Sequence, residues 1–413
     1  MLMLFNNFTI PGVFEIMEIL RALRILLRPF LHPIRWLSKI TPRDKNLWVF
    51  GSNGGNTFSG NPKYLFLQLV RNKDVRCIWI TANQKIFEEL KKAGFEVYKK
   101  NSLKAYFYVL RAGVLYFDYS TFDVNFWAAG GGIKVNLWHG LPLKKIYQDD
   151  KNDLSNTQNP LKRLIFKIFR PWTFENWDYS IATSEIFREK LSSGLGIPGE
   201  KIPVTGYPRN DVFFKQIEGA FTGSSKKVYD DLRTLKKDGV KLFAYFPTFR
   251  ESGENPLNWL DLNAISEVFR RFNSYFIIKL HQYSRFKLEK DFPNVIFIRQ
   301  SFDFYPLLPL IDVMITDYSS IYLDFLILNR PIIFYPYDLE EYLSRNRELY
   351  FDYDAFTPGP KARSFEELLS YIEGYLSDKE DRYRRIREKL MPRVYRYIDG
   401  ESAERIYEYF KKI

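Results

Sequence analysis

The feature that most constrains this chain is a repeated alternation. Short apolar runs of strand length are separated by segments of helical length, and many of the runs close on polar residues. Runs at 47–50, 77–81, 114–118, 135–138, 179–182 and 202–205 form a first set, with a helix expected over 62–70. Runs at 242–246, 275–280, 295–298, 312–316 and 331–335 form a second. Strands that alternate with helices in this way predict a parallel sheet covered on both faces. Between the sets, 215–240 is polar and basic, with Gly219, Gly223, Ser224 and Ser225, and marks the connection between domains. The expected architecture is α/β: two Rossmann-like domains with a cleft between them. The expected boundaries are an N-terminal segment 1–45, a first Rossmann-like domain 46–225, a second 226–378 and a charged helical tail 379–413. A chain of 413 residues, 46% apolar and 27% charged, is globular in composition and long enough for two cores.

The N-terminal stretch is apolar, but Glu15, Glu18, Arg21, Arg24 and Arg28 interrupt it. It therefore falls short of the roughly 20 apolar residues of a membrane span, and charges inside the apolar region exclude a signal peptide. Val13, Ile16, Met17, Leu20, Leu23 and Leu27 recur at helical spacing over 13–28. Arg21, Arg24 and Arg28 line another face, and Pro29 and Pro33 break the helix before Trp36. Two readings are open: a helix lying on anionic lipid, or one packed on the protein's own surface. The net charge of +12 favours anionic partners. Aromatic residues make up 18%, but no RNA-binding motif accompanies them, so nucleic acid is not an expected partner. The single cysteine, Cys77, excludes an intrachain disulfide and a cysteine metal site, and fits a reducing compartment. Asp149, Asp150 and Asp153 read as a solvated acidic loop, and no metal or cofactor is expected.

Candidate chemistry collects at strand ends, where open α/β sheets bind ligands. His139 closes one run and is followed by Gly140. It is either a general base or a hydrogen-bonded structural histidine. Lys279 and His281 share a face at the end of another run, where both can reach one anion; two solvated basic residues are the alternative. Asp317, Ser319 and Ser320 precede a helical segment, where hydroxyls and amides either bind phosphate or cap the helix. Thr248 and Arg250 end a fourth run. Arg209 lies in the turn 206–211, and arginine suits bidentate phosphate contacts. The 51–55 glycine loop lacks the Walker lysine.

These segments together resemble one family. NLWHGLPLKKI from Asn136, GYPRND from Gly206, YFPTFR from Tyr245, IKLHQ from Ile278 and ITDYSSIYLDFLILNRPIIFYPYDLEEY from Ile315 occur in family order. GNPKYLF from Gly60, RELYFDYD from Arg347, PGP from Pro358 and DGESAERI from Asp399 extend the match over most of 46–410. The chain resembles the CDP-glycerol glycerophosphotransferases of teichoic acid and capsule synthesis. The resemblance implies a GT-B-like fold, a CDP donor held by the second half and an acceptor facing the first. It implies a peripheral enzyme at the cytoplasmic membrane face, acting on a lipid-linked glycan or polymer acceptor. It also implies that His139 is the general base, and that His281, Lys279, Gly140, Arg209, Thr248, Arg250, Ser319 and Ser320 serve the donor's diphosphate. Asp317 would orient neighbours or a ribose. IKLHQ departs from the family in lacking a proline after the histidine, and the short N-terminal part favours a priming enzyme. CDP-ribitol is the alternative donor. A nucleotide-sugar transferase and a basic membrane- or RNA-binding protein are the other readings. The oligomeric state is not expressed in the sequence.

Overall fold

The computed structural model describes residues 23, 25–222, 226–248, 250, 254–280, 290–298, 303–345 and 348–413. The expected helix 13–28, with Arg21 and Arg24, lies largely outside these residues, and so does His281.

The first sheet holds β1 (Asp44–Phe50), β2 (Arg76–Thr81), β3 (Val97–Lys99), β4 (Ala112–Phe117), β5 (Ile133–Asn136) and β6 (Tyr179–Ser180). Its order is β3-β2-β1-β4-β5-β6 and every pairing is parallel. The second sheet holds β7 (Leu242–Phe246), β8 (Tyr275–Lys279), β9 (Val295–Ile298), β10 (Val313–Thr316) and β11 (Ile332–Phe334). Its order is β11-β10-β7-β8-β9, also parallel throughout. Counted within each half, both follow the doubly wound order, with the switch between the first and fourth strands. The 202–205 run is not a strand. Pro203 lacks an N–H, and the run contributes one bridge, Ala182 to Val204.

Strand parity builds the cores. Trp48, Phe50, Cys77, Trp79, Val114 and Tyr116 point into one cluster; Leu47, Val49, Ile78, Ile80, Leu115 and Phe117 point into another. In the second sheet Leu242, Ala244, Phe246, Ile277 and Met314 join the first of these clusters, while Phe243, Tyr245, Phe276 and Ile278 feed a third. One contiguous apolar layer thus runs through both halves. Cys77 lies in it, and burial pushes its thiol up to about 12.

The tail is two helices with different neighbours. Arg384–Val394 carries Arg387, which is fully buried, pairs with Asp381 and donates to Asn329 O. Ser402–Phe410 returns to the first sheet, where Tyr407 meets Trp48 at 5.9 Å and Phe410 meets Tyr116 at 5.8 Å. Asp211 accepts the N–H groups of Ser402 and Ala403 at 3.1 and 3.0 Å. The GYPRND and DGESAERI segments are therefore two sides of one helix cap.

Candidate active site

The carboxyl ends at both switch points face the same cavity, of about 380 Å³. β1 delivers Ser52 and Asn53, and β4 delivers Asp118 and Tyr119. β7 delivers Phe246 and Pro247, and β10 leads to Ser319 and Ser320. All eight line the cavity, together with His139, Arg209, Lys279, Asp303 and Tyr305.

His139 follows β5 on a turn held from several sides. Trp138 has φ +58°, a left-handed conformation that is costly for a bulky side chain. Its N–H donates to Asn136 Oδ1 at 2.8 Å. Asn61 Nδ2 donates to Leu137 O at 2.8 Å and to Trp138 O at 3.1 Å. Arg209 donates to His139 O at 2.8 Å. Gly140 lets Ser320 approach closely: a Cβ there would lie 2.9 Å from Ser320 Oγ and require that side chain to turn away. The imidazole stacks on Tyr119, with ring centroids 4.2 Å apart and planes 5° from parallel. Its Nδ1 lies 3.0 Å from the backbone carbonyl of Asp118. A carbonyl only accepts, so Nδ1 carries the proton in the neutral ring and Nε2 is the basic nitrogen.

That carbonyl is itself fixed. Asp123 accepts the N–H groups of Asp118, Tyr119 and Ser120 at 3.2, 2.9 and 3.3 Å. The Asp118 carboxyl accepts from Ser52 Oγ at 2.7 Å and Asn53 N at 3.0 Å. Burial, with Asp123 beside it, holds Asp118 well above the usual carboxylate range.

The second half contributes Lys279, whose Nζ donates to Leu280 O at 3.2 Å. Burial lowers this amine to about 8, with Asp303 pulling the other way. Ser320 stands at the N-cap of Ile321–Phe325 without making a capping hydrogen bond, so the capping alternative does not account for it.

Three expected donor ligands are engaged elsewhere. Thr248 donates from N–H and Oγ to Asp317 Oδ1, at 2.9 and 2.5 Å. Arg250 donates to Asp317 at 2.8 Å and to Asp338 at 2.7 and 2.9 Å. None of Thr248, Arg250 and Asp317 lines the cavity; they form a buried cluster that braces the ends of β7 and β10. Arg209 does line it, but its guanidinium pairs with Asp324 at 2.7 Å, both side chains almost fully buried. Asp324 also accepts from Tyr305 at 2.9 Å and Tyr395 at 3.2 Å. Arg209 thus ties the His139 turn to the second half.

Asn61, Asp118, Tyr119 and Asp303 were not identified from the sequence. The available signal lay in GNPKYLF: Asn61 and Lys63 are polar positions in a helix (Gly60–Leu69) that is buried along most of its length. Among the described residues, no group of three or more His, Cys, Asp or Glu is arranged to hold a metal ion.

Away from the cavity, the start of His32–Ile40 and the turn before it meet the end of Pro160–Phe169. His32 Nε2 is 3.1 Å from Ile168 O, and Arg28 donates to Phe169 O at 3.2 Å. Trp36, Leu37 and Ile40 are exposed on the first helix, Phe30 on the turn before it, and Leu161, Leu164 and Ile165 on the second. Among the described residues, no helix is long and apolar enough to cross a membrane.

The profile of one family, described as CDP-glycerol:poly(glycerophosphate) glycerophosphotransferase, matches residues 35–412. The chain is 26% identical to the teichoic acid glycerol-phosphate transferase of Staphylococcus aureus, over 90% of this chain and 93% of that one. It is 30% identical to a teichoic acid poly(ribitol-phosphate) polymerase of Bacillus spizizenii, over 66% of this chain and 42% of that one, so it spans less than half of that relative. The solved structure of the wall teichoic acid polymerase TagF superposes with a TM-score of 0.71, at 22% identity, over 97% of this chain and 98% of that chain. The two-domain GT-B-like fold expected from the sequence is the fold of that structure.

Proposed function

Because the chain belongs to the CDP-glycerol:poly(glycerophosphate) glycerophosphotransferase family, we propose that this transferase moves glycerol phosphate from CDP-glycerol onto a lipid-linked or polymer acceptor of teichoic acid synthesis. The observation that carries the reading is His139: a histidine at the switch-point cavity whose Nδ1–H is given to the Asp118 carbonyl, so that Nε2 accepts a proton. An acceptor hydroxyl attacks the phosphorus that bears glycerol. The new O–P bond forms, the O–P bond to CMP breaks, and the hydroxyl proton passes to Nε2. Lys279, Ser319 and Ser320 lie across the cavity, where the diphosphate and its developing charge need cations and hydroxyl donors. His281, expected to serve the same diphosphate, lies outside the described residues. The protein works as a peripheral enzyme at the cytoplasmic membrane face.

A ribitol-phosphate relative at 30% identity supports a second reading, the same chemistry with CDP-ribitol. The family assignment sets aside the nucleotide-sugar and non-enzymatic readings. CMP release from CDP-glycerol and from CDP-ribitol, each with a lipid-linked acceptor analogue, separates the two donors. His139→Ala should cut turnover by at least about a hundredfold without loss of fold. Near-normal turnover would remove His139 from the mechanism, and release from neither donor would reject the reaction.

A further inference from the structure

The function above asks His139 to become a cation during each turnover. What lies against the ring then matters as much as what it is bonded to. Tyr119 lies flat on it, at 4.2 Å and 5°. The stack is built by one short segment. β4 ends at Phe117, Asp118 offers its carbonyl to Nδ1, and the next residue offers its ring face. The three N–H bonds to Asp123 Oδ2 set the relative position of carbonyl and ring. Tyr119 is half-buried and lines the cavity, so water does not fully screen the contact. Trp138 makes a second, tilted ring contact at 4.4 Å.

We propose that Tyr119 is a positioning residue for His139, and that its ring face stabilises the imidazolium formed when the acceptor hydroxyl gives up its proton. An aromatic face is negative and attracts a cation stacked over it, whereas a neutral imidazole gains far less. The stack therefore strengthens Nε2 as a base. It also orients the ring, because the planes must remain parallel while Nδ1 stays on the Asp118 carbonyl. The proposal rests on the reading of His139 as the general base.

Other ionisable groups share this cavity: Asp118 with Asp123 behind it, Arg209, Lys279, Asp303 and Tyr305. They remain in place when only residue 119 is changed, so a difference between variants reports on the ring face. Tyr119→Phe keeps the face and removes the hydroxyl, while Tyr119→Leu removes the face.

The test has a readout independent of turnover. The chain contains three histidines, so their imidazole Cε1–H signals can be titrated by NMR in the full-length protein and assigned with His139→Asn. Loss of a stabilised cation lowers the midpoint. Tyr119→Leu should shift the His139 midpoint down by about half to one pH unit, with Tyr119→Phe close to the parent. The acid limb of the pH profile for CMP release should move the same way, with a lower plateau. If Tyr119→Leu does not fold, phenylalanines of increasing fluorination at 119 preserve shape and weaken the ring face stepwise, and the midpoint should fall stepwise. A midpoint that is unmoved or rises in these variants would overturn the proposal. An NMR shift in a protein that releases no CMP from either donor would instead uphold the contact and reject the reaction.

Discussion

Trp138 shows how one residue's strain serves its neighbour. A bulky side chain at positive φ costs about 1–3 kcal/mol, and Asn136, Asn61 and Arg209 hold the turn in that state. The return is that His139 leaves the strand pointing into the cavity. Lys279 carries a different constraint. Burial has lowered its amine to about 8, so it is a cation at pH 7 and largely neutral at pH 9. An anionic donor binds the protonated form, so affinity should fall as pH rises through 8, by up to about tenfold per unit for one linked proton. Calorimetry with CDP-glycerol at pH 7 and pH 9 should show this loss in the parent and not in Lys279→Arg. Equal slopes in both would take Lys279 out of the donor site. His139, Lys279, Ser319 and Ser320 were legible because polar residues closing apolar runs have few structural reasons to be there. Asn61 and Asp118 were not. An asparagine at a helix start reads as a cap and an aspartate after a strand as a turn, and only tertiary contact distinguishes them. Arg250 misleads in the opposite sense: arginine near a strand end suggests phosphate, and its carboxylate partners Asp317 and Asp338 are 67 and 88 residues away.

At the scale of elements, the pair His32–Ile40 and Pro160–Phe169 has a packed side and an exposed one. On the packed side Ser38 is fully buried, and Arg35 bonds Glu175. On the other side, Trp36 is 76% exposed and Leu164 54%. The two readings open for 13–28 fall largely outside the described residues; in 32–40 one face packs on the protein and the other is exposed. The apolar face of 160–169 was not legible. Lys162, Arg163 and Lys167 mix with its leucines as on any surface helix, and only its neighbours leave the apolar side uncovered. If these helices dock the enzyme on lipid, Trp36→Ser combined with Leu164→Ser should weaken partitioning onto anionic vesicles by at least about tenfold, since each large side chain is worth about 1.5–3 kcal/mol on burial. Stability should be unchanged, because neither side chain is buried. Removing residues 1–40 is a poorer test, since it also removes Arg35 and Ser38 from the fold. Equal vesicle binding by parent and double variant would exclude this surface as the docking face.

At the scale of the molecule, the two halves were legible because each apolar set predicts its own sheet, but their junction was not. It depends on Lys63, from the first half, and Asp303, from the second, 2.7 Å apart with both side chains essentially inaccessible. Lys63 also donates to Ala220 O at 2.6 Å, and Tyr64 donates to Asp303 at 2.8 Å. Burial lowers the Lys63 amine below its ordinary value, and the Asp303 carboxylate opposes that. Such a pair is weak support for stability as a unit, because desolvation offsets most of the attraction, but losing one partner strands a charge. Lys63→Met and Asp303→Leu should each cost about 3–5 kcal/mol, while the double variant should cost clearly less than their sum. Urea unfolding of the four proteins measures the coupling. Asp303 also lines the cavity, so the contact that joins the halves shapes the space where donor and acceptor meet. Strictly additive losses would mean that the halves are held by their shared apolar layer, with the ion pair as a passenger.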